Sequence, residues 1–395
     1  MKHAQPRLDT LGAYPFERLK QLLAGITPPA ELEHIDAGAG EPRLPLPAFV
    51  EPVLKEGLPG FSKYPPTRGT AMLGDAIADW LVRRYGLPHV DAGTQVLSAN
   101  GTREALFAIA HALVNPDSIE NKALVLMPNP MYQIYLGAAV TAGGEPYCMP
   151  CTAETDFAPD LDAVADKVWQ GAAFIYVCSP SNPTGWIADR AWYTRLIELA
   201  DAHDFYIVAD ECYSEIYMHK PPVGLLEVCA QRGRNDFSRC LIMNSLSKRS
   251  ALPGLRSGLI AGDAALIARF AKLRSYTGAA TPLPLQAVAA AAWSDETHVE
   301  QHLAVYRASL EAFFDAYGQG EAPEGSFFVW LPVTDGEAFA QAAYAQQGVT
   351  ILPGAYLSTE DVDGVNPGQG YIRAALVDGP GKAAELAKRL RQVRI

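Results

Sequence analysis

The chain has 395 residues, with 44 acidic against 32 basic side chains and a formal charge of −12, which argues against a polyanion such as nucleic acid as partner. Hydrophobic residues at 49% and charged residues at 19% describe a globular protein, and the length favours two domains around a large core. No apolar run reaches the length of a membrane span and the N-terminus lacks an apolar signal core, so a cytoplasmic protein without a membrane partner is expected.

Near the start, Tyr14-Pro15-Phe16 precedes an amphipathic helix expected over Glu17 to Leu23. Gly38-Ala39-Gly40-Glu41-Pro42 begins like a nucleotide loop, but Pro42 and the missing third glycine exclude that motif. Lys63-Tyr64-Pro65-Pro66-Thr67-Arg68-Gly69 has the chemistry of a turn.

From about residue 70 to 285, helical stretches alternate with short apolar runs at Val96–Ala99, Ala123–Met127, Ala173–Cys178, Tyr206–Ala209, Cys240–Asn244 and Leu259–Ala261. Such runs predict a mostly parallel sheet covered on both faces, with ligands at the carboxyl ends of its strands. Each chemically suggestive string follows one of these runs. Asn100-Gly101-Thr102-Arg103 turns a strand into a helix, a ready phosphate site or a plain N-cap. Asn129-Pro130-Met131-Tyr132 and Ser179-Pro180-Ser181-Asn182 are turns, and Asp210-Glu211-Cys212-Tyr213 ends a strand in two acids.

Cys178, Cys212 and Cys240 read as small core residues, and Cys148-x-x-Cys151 has no second pair to make a zinc site. The Ala-rich stretch 285–317 predicts long helices. His298 and His302, with Glu300 between them, lack the zinc-protease order and read as a solvated helix face; no metal is expected. Further strands are expected at Ser326–Leu331, Val349–Leu352 and Tyr371–Ala374. Arg373 falls inside the last of these, where a cation needs an anion, either a ligand or a structural ion pair.

The chain is organised around Asn244 to Gly258, where Lys248 sits in a turn between two apolar runs. An ordinary lysine is a solvated charge. A nucleophilic one is desolvated beside another cation, and Arg256 can supply that field while Ser245 and Ser247 hold an anion.

Ser245-x-Ser247-Lys248 followed by Pro253-Gly254-x-Arg256-x-Gly258, with the strings above in order along the chain, resembles the class I/II aminotransferases. That resemblance implies an α/β protein of the pyridoxal-phosphate-dependent transferase fold type I. Its large domain has a mostly parallel sheet covered by helices, and its smaller domain is α+β. The implied division is an N-terminal arm and part of the small domain at 1–45, a cofactor domain at 46–285, and an interdomain helix with the C-terminal small domain at 286–395.

The implied cofactor is pyridoxal 5′-phosphate, carried by Lys248 as a Schiff base. Its phosphate falls to Gly101, Thr102, Arg103, Ser245, Ser247 and Arg256, with Tyr64 reaching across from the second subunit of a homodimer. Tyr132 lies over the ring, Asn182 and Tyr213 meet its 3′ oxygen, and Asp210 keeps its nitrogen protonated. Gly40, Asn182 and Arg373 take the substrate, an amino acid or keto acid such as glutamate or 2-oxoglutarate. Ala39 replaces the family's bulky aliphatic residue, which would widen the pocket. Within the family, Leu8 to Leu19, Pro128 to Tyr135 and Ser247 to Gly258 are most similar to the succinyldiaminopimelate aminotransferases, with Lys63 or Arg68 as candidates for a distal carboxylate. An aspartate- or aromatic-type aminotransferase or a C–S lyase would keep the same residues. A ligand-sensing regulator is disfavoured because Gly40 lies too near Met1 for a DNA-binding module.

Overall fold

The computed structural model describes residues 6–117, 122–277, 280–361 and 364–395. After a two-residue strand β1 (Ile35–Asp36), the apolar runs form β2 (Val96–Ala99), β3 (Leu124–Asn129), β4 (Glu145–Pro150), β5 (Ala172–Cys178), β6 (Tyr206–Asp210), β7 (Cys240–Ser245) and β8 (Gly258–Gly262). These seven make one sheet in the order β2-β8-β7-β6-β5-β3-β4, parallel except that β8 runs against both neighbours.

Alternation along each strand explains the unbroken apolar runs. In β6 and β7, Ile207, Ala209 and Ile242 enter one core, while Val208, Leu241 and Met243 enter another. Both faces are therefore dry, and both must be covered by helices. One core takes α3 (Ala71–Tyr85), capped by Thr70 Oγ1 accepting from Leu73 N, with α7 (Arg190–His203), α8 (Leu225–Gln231) and α11 (Leu283–Ser294). The opposite core takes α4 (Thr102–Leu113), α5 (Ile134–Ala142) and α10 (Ala264–Thr277). Shorter pieces are α1 (Pro15–Leu22), α2 (Val50–Gly57), α6 (Asp166–Gly171) and α9 (Leu246–Arg249).

The C-terminal part follows α12 (Thr297–Tyr317). It holds β9 (Phe328–Pro332), α13 (Gly336–Gln347), β10 (Val349–Thr350), β11 (Leu352–Pro353), β12 (Tyr371–Ala375) and α14 (Pro380–Gln392). Strands β11, β12 and β9 form an antiparallel sheet, and β1 pairs in parallel with β10 through Ile35 and Val349. No helix among the described residues is long and apolar enough to cross a membrane.

The expected strands all form, with shifted ends. Strand β4 adds to the expected set, because Pro146 and Pro150 break its pattern in the sequence; it is an edge strand, where missing amides cost little. The run Val349–Leu352 divides into two strands around Ile351. The first helix starts at Pro15 rather than Glu17, since proline suits the first helical position. Cys148 is half-buried and Cys151 buried, both as free thiols.

The histidine pair corrects the sequence reading: His298 and His302 are 5% and 7% exposed rather than solvated. His298 faces the lysine turn, its Nδ1 at 2.5 Å from the Asp295 carboxylate and its Nε2 at 2.8 Å from Ser250 Oγ. Helix α12 thus begins by packing on the turn that follows Lys248, and charge spacing alone could not reveal which face that is.

Gly262 closes β8 with φ of +139°, where any Cβ would overlap the Cys240 carbonyl oxygen. Gly262→Ala is expected to cost about 2–4 kcal/mol, since both strands would have to shift. A fall of several degrees in the melting temperature would bear this out; an unchanged one would contradict it.

Candidate active site

The carboxyl ends of the parallel strands open into a cavity of 390 Å³. The β2–α4 turn brings Thr102 and Arg103, the segment after β3 brings Tyr132, and that after β5 brings Asn182. Strand β6 and the turn after it deliver Asp210, Cys212 and Tyr213, and β7 with α9 delivers Ser245, Ser247 and Lys248. Arg256 closes one end, while Gly40, Phe328 and Arg373 come from the loop after β1 and the C-terminal sheet. Residues spread over more than three hundred positions thus converge because parallel strands all end on one edge.

Lys248 Nζ donates to the Gly40 carbonyl. Burial, with Arg373 and Arg103 adding positive charge, lowers its pKa from 10.5 to about 8, while Cys212 and Glu41 pull the other way. The expected cationic field exists, but it comes from Arg373 and Arg103 rather than Arg256. Arg256 instead donates to the carbonyls of Pro253 and Asn100 at 2.9 and 3.0 Å, beside the start of α4. There Gly101 has φ of +80°, and any Cβ would overlap the Arg256 guanidinium. Ser245 caps α9, accepting from Ser247 N at 3.1 Å.

Asp210 is buried, which raises its pKa; hydrogen bonds from Cys212 and Tyr135 and the charge of Lys248 oppose the rise. Tyr135 Oη donates to Asp210 Oδ2 at 2.7 Å, and the Tyr135 ring stacks on Tyr176 at 4.5 Å. Sequence reasoning gives Tyr135 no role, although it stands three residues after Tyr132 at the start of α5 and meets the Tyr132 ring edge-on. Tyr213 is 7% exposed and packs edge-on against Phe327 and Phe328.

Arg373 is 4% exposed. Its Nη1 donates to Asn182 Oδ1 at 2.9 Å, its Nη2 to the Gly38 carbonyl at 2.7 Å, and its Nε has no partner among the described residues. Burial lowers its pKa to about 10. A structural ion pair, the alternative reading of Arg373, is not present among the described residues. Arg103 likewise meets neutral groups, donating to Tyr132 Oη at 2.8 Å and Tyr14 Oη at 3.0 Å. Arg103, Lys248, Arg256 and Arg373 therefore all face one cavity with no carboxylate partner among the described residues.

Some expected residues lie elsewhere. Tyr64 is fully exposed and does not line the cavity of its own chain; neither do Lys63 and Arg68, the latter donating to the Gly93 carbonyl. Ala39 does not line the cavity either. Gly40 does, and a Cβ there would overlap the Phe328 ring; Ala39, outside the lining, does not widen the cavity.

The family model for aminotransferase class I and II matches residues 34–388. The chain belongs to that family. Among relatives of this aminotransferase is the LL-diaminopimelate aminotransferase of Desulforudis audaxviator, 30% identical over 98% of this chain and 96% of that one. Another is the LL-diaminopimelate aminotransferase of Maridesulfovibrio salexigens, 29% identical over 97% of both chains. Among solved structures, an aminotransferase from Neisseria meningitidis superposes with a TM-score of 0.92 at 38% identity, covering 98% of both chains. A probable N-succinyldiaminopimelate aminotransferase from Thermus thermophilus shares the fold, with a TM-score of 0.83 at 24% identity over 95% of this chain and 99% of that one.

Aminotransferases of this family depend on pyridoxal 5′-phosphate. The residues here fit that group. Thr102 and Arg256 gather at the N-terminus of α4, where Gly101 leaves room for the guanidinium, and Ser245, Ser247, a buried acid and a lysine of lowered pKa line the same cavity.

The lowered pKa of Lys248 gives a direct expectation. Its neutral fraction should rise about tenfold from pH 7 to pH 9 and then level off, whereas an ordinary lysine gains reactivity through pH 10. Reductive methylation of cofactor-free protein with formaldehyde, read by mass spectrometry on the Lys248 peptide, should plateau near pH 9. A rate still climbing at pH 10 would contradict the assignment.

Proposed function

We propose that this aminotransferase serves diaminopimelate and lysine biosynthesis, exchanging an amino group between N-succinyl-LL-2,6-diaminopimelate and 2-oxoglutarate in the cytoplasm. The observation that carries the reading is that, besides Arg256 at the start of α4, two further arginines meet only neutral partners in one cavity, Arg373 and Arg103. An amino acid with carboxylates at both ends satisfies both. Leaving the buried Arg373 charge unpaired would cost several kcal/mol. The names of the relatives supply the diaminopimelate skeleton. Those names lack the succinyl group, so LL-diaminopimelate itself is the second reading.

In this reading residues 46–285 hold the cofactor, while 1–45 and 286–395 form the smaller unit. The bound cofactor supplies an electron sink for the substrate's Cα. Thr102, Ser245, Ser247, Arg256 and the backbone at Gly101 would hold its phosphate, and Tyr132 would cover its ring. Asn182 and Tyr213 would hydrogen-bond its ring oxygen, and Asp210, if ionised, would keep a proton on the ring nitrogen. Arg373 forks onto the substrate α-carboxylate with Gly40 leaving room beside it. Lys248 Nζ, neutral near its lowered pKa, takes the α-proton and returns one on the far side of the exchange. Arg103, which the resemblance gives to the phosphate, is assigned in this reading, with the Tyr14 and Tyr132 hydroxyls, to the distal carboxylate, a task the sequence alone gives to Lys63 or Arg68.

The working unit in this reading is a homodimer. Leu46, Leu58, Phe61, Tyr64 and Met72 are large, exposed and close in sequence, apolar surface of the kind that a second copy would cover. Tyr64, wholly exposed in one chain, then reaches the other chain's phosphate.

A coupled assay of 2-oxoglutarate-dependent turnover across succinylated diaminopimelate, free diaminopimelate, aspartate, phenylalanine and alanine tests the reading. The succinylated compound should give the highest kcat/KM; preference for aspartate or phenylalanine would overturn the substrate. Arg103→Met should lower kcat/KM, which reports the donor half-reaction alone, about tenfold or more for the dicarboxylic donors, the cost of one lost charged hydrogen bond, and leave alanine within about twofold. Equal loss for all donors would remove Arg103 from substrate recognition.

A further inference from the structure

Behind Asp210, on the far side of β6 from the cavity, lies a carboxylate that the proposed reaction does not use. Strand alternation sends Asp210 toward Tyr135 and its neighbour Glu211 the opposite way, into the core beneath α3. Glu211 is 1% exposed. Its Oε2 accepts the Tyr85 hydroxyl at 2.5 Å and its Oε1 accepts the Leu225 amide at 2.8 Å.

The backbone here is held as firmly as the side chain. Glu211 N donates to the Met243 carbonyl at 2.8 Å. Its own carbonyl accepts Asn244 Nδ2 at 2.7 Å, and that amide also donates to Ser214 Oγ at 2.9 Å. Arg84, next to Tyr85 at the end of α3, completes the grip. Its Nε pairs with Glu215 at 2.7 Å, and its Nη2 donates to the carbonyls of Ser214 and Pro222 at 3.0 and 3.2 Å. The Tyr85 ring fills the space beside Gly224, where any Cβ would overlap it.

Between these anchors run Asp210, Cys212 and Tyr213, all lining the cavity, while Asn244 stands four residues before Lys248. Removing a donor from a buried carboxylate leaves its desolvation uncompensated, so this turn cannot swing without breaking the contacts beneath it. We propose that Glu211, Tyr85 and Arg84 form a clamp under the active-site floor that sets the directions of Asp210 and Tyr213. None of the three lines the cavity, so they act as positioning residues. The inference rests on the cofactor reading above.

The test compares wild-type holoenzyme with Tyr85→Phe, Glu211→Gln and Glu211→Ala. The readouts are melting temperature, the pH midpoint of the bound cofactor's visible band, and kcat and KM for the amino donor. Tyr85→Phe is expected to retain cofactor, move the band's midpoint by about half a pH unit or more, and lower kcat about fivefold with KM within about twofold. Glu211→Gln, which keeps the length and an acceptor for the Leu225 amide, should fall between wild type and Glu211→Ala. If Tyr85→Phe fails to fold, Glu211→Gln decides alone. Variants that lose only melting temperature, with band midpoint and kcat as in wild type, would overturn the clamp. A wild-type protein with no visible band would overturn the cofactor reading, and the clamp with it.

Discussion

Charge buried at the floor of one cavity is the constraint on which the rest of the structure depends. Lys248 and Arg373 both lose pKa to burial, and Asp210 gains it for the same reason. Desolvation always disfavours the charged form, so each group is held somewhat away from its preferred state. The protein offsets this with neutral dipoles: the Gly38 and Gly40 carbonyls, Asn182 and the Tyr135 hydroxyl. Those contacts keep the site folded and leave the positive charge of its arginines for an anionic ligand to neutralise.

The sheet makes such a cavity possible in geometric terms. Six of its strands run in parallel, so their ends lie on one edge, and the loops leaving that edge bring polar residues together from distant positions. Helices on both faces keep water from the strands. The C-terminal sheet then lays Phe328 and Arg373 over the opening, and β1 ties residues 35–40 to the same layer by pairing with β10.

The large sheet is legible in the sequence because both-face burial writes continuous apolar runs, as in Cys240–Met243. The edge strand β4 is not, since prolines and partial exposure erase the pattern. Site residues are legible where a string combines unusual chemistry with a strand end, as with Lys248, Asp210 and Asn182. Arg103 is legible at a helix start and, by resemblance, as a phosphate residue, but not as a partner of two tyrosines. Its side chain bonds to Tyr14 and Tyr132, from segments 89 and 29 residues away, and that contact is tertiary information. The burial of His298 and the source of the field at Lys248 are hidden for the same reason: both depend on which helix or sheet lies opposite.

The central claim is that Lys248, and no other lysine, carries the cofactor. Borohydride reduction of the yellow holoprotein followed by peptide mass mapping tests it most directly. The account predicts a pyridoxyl-phosphate adduct on the peptide containing Lys248, at one per chain. An adduct on a different lysine, or none after reduction, would contradict it.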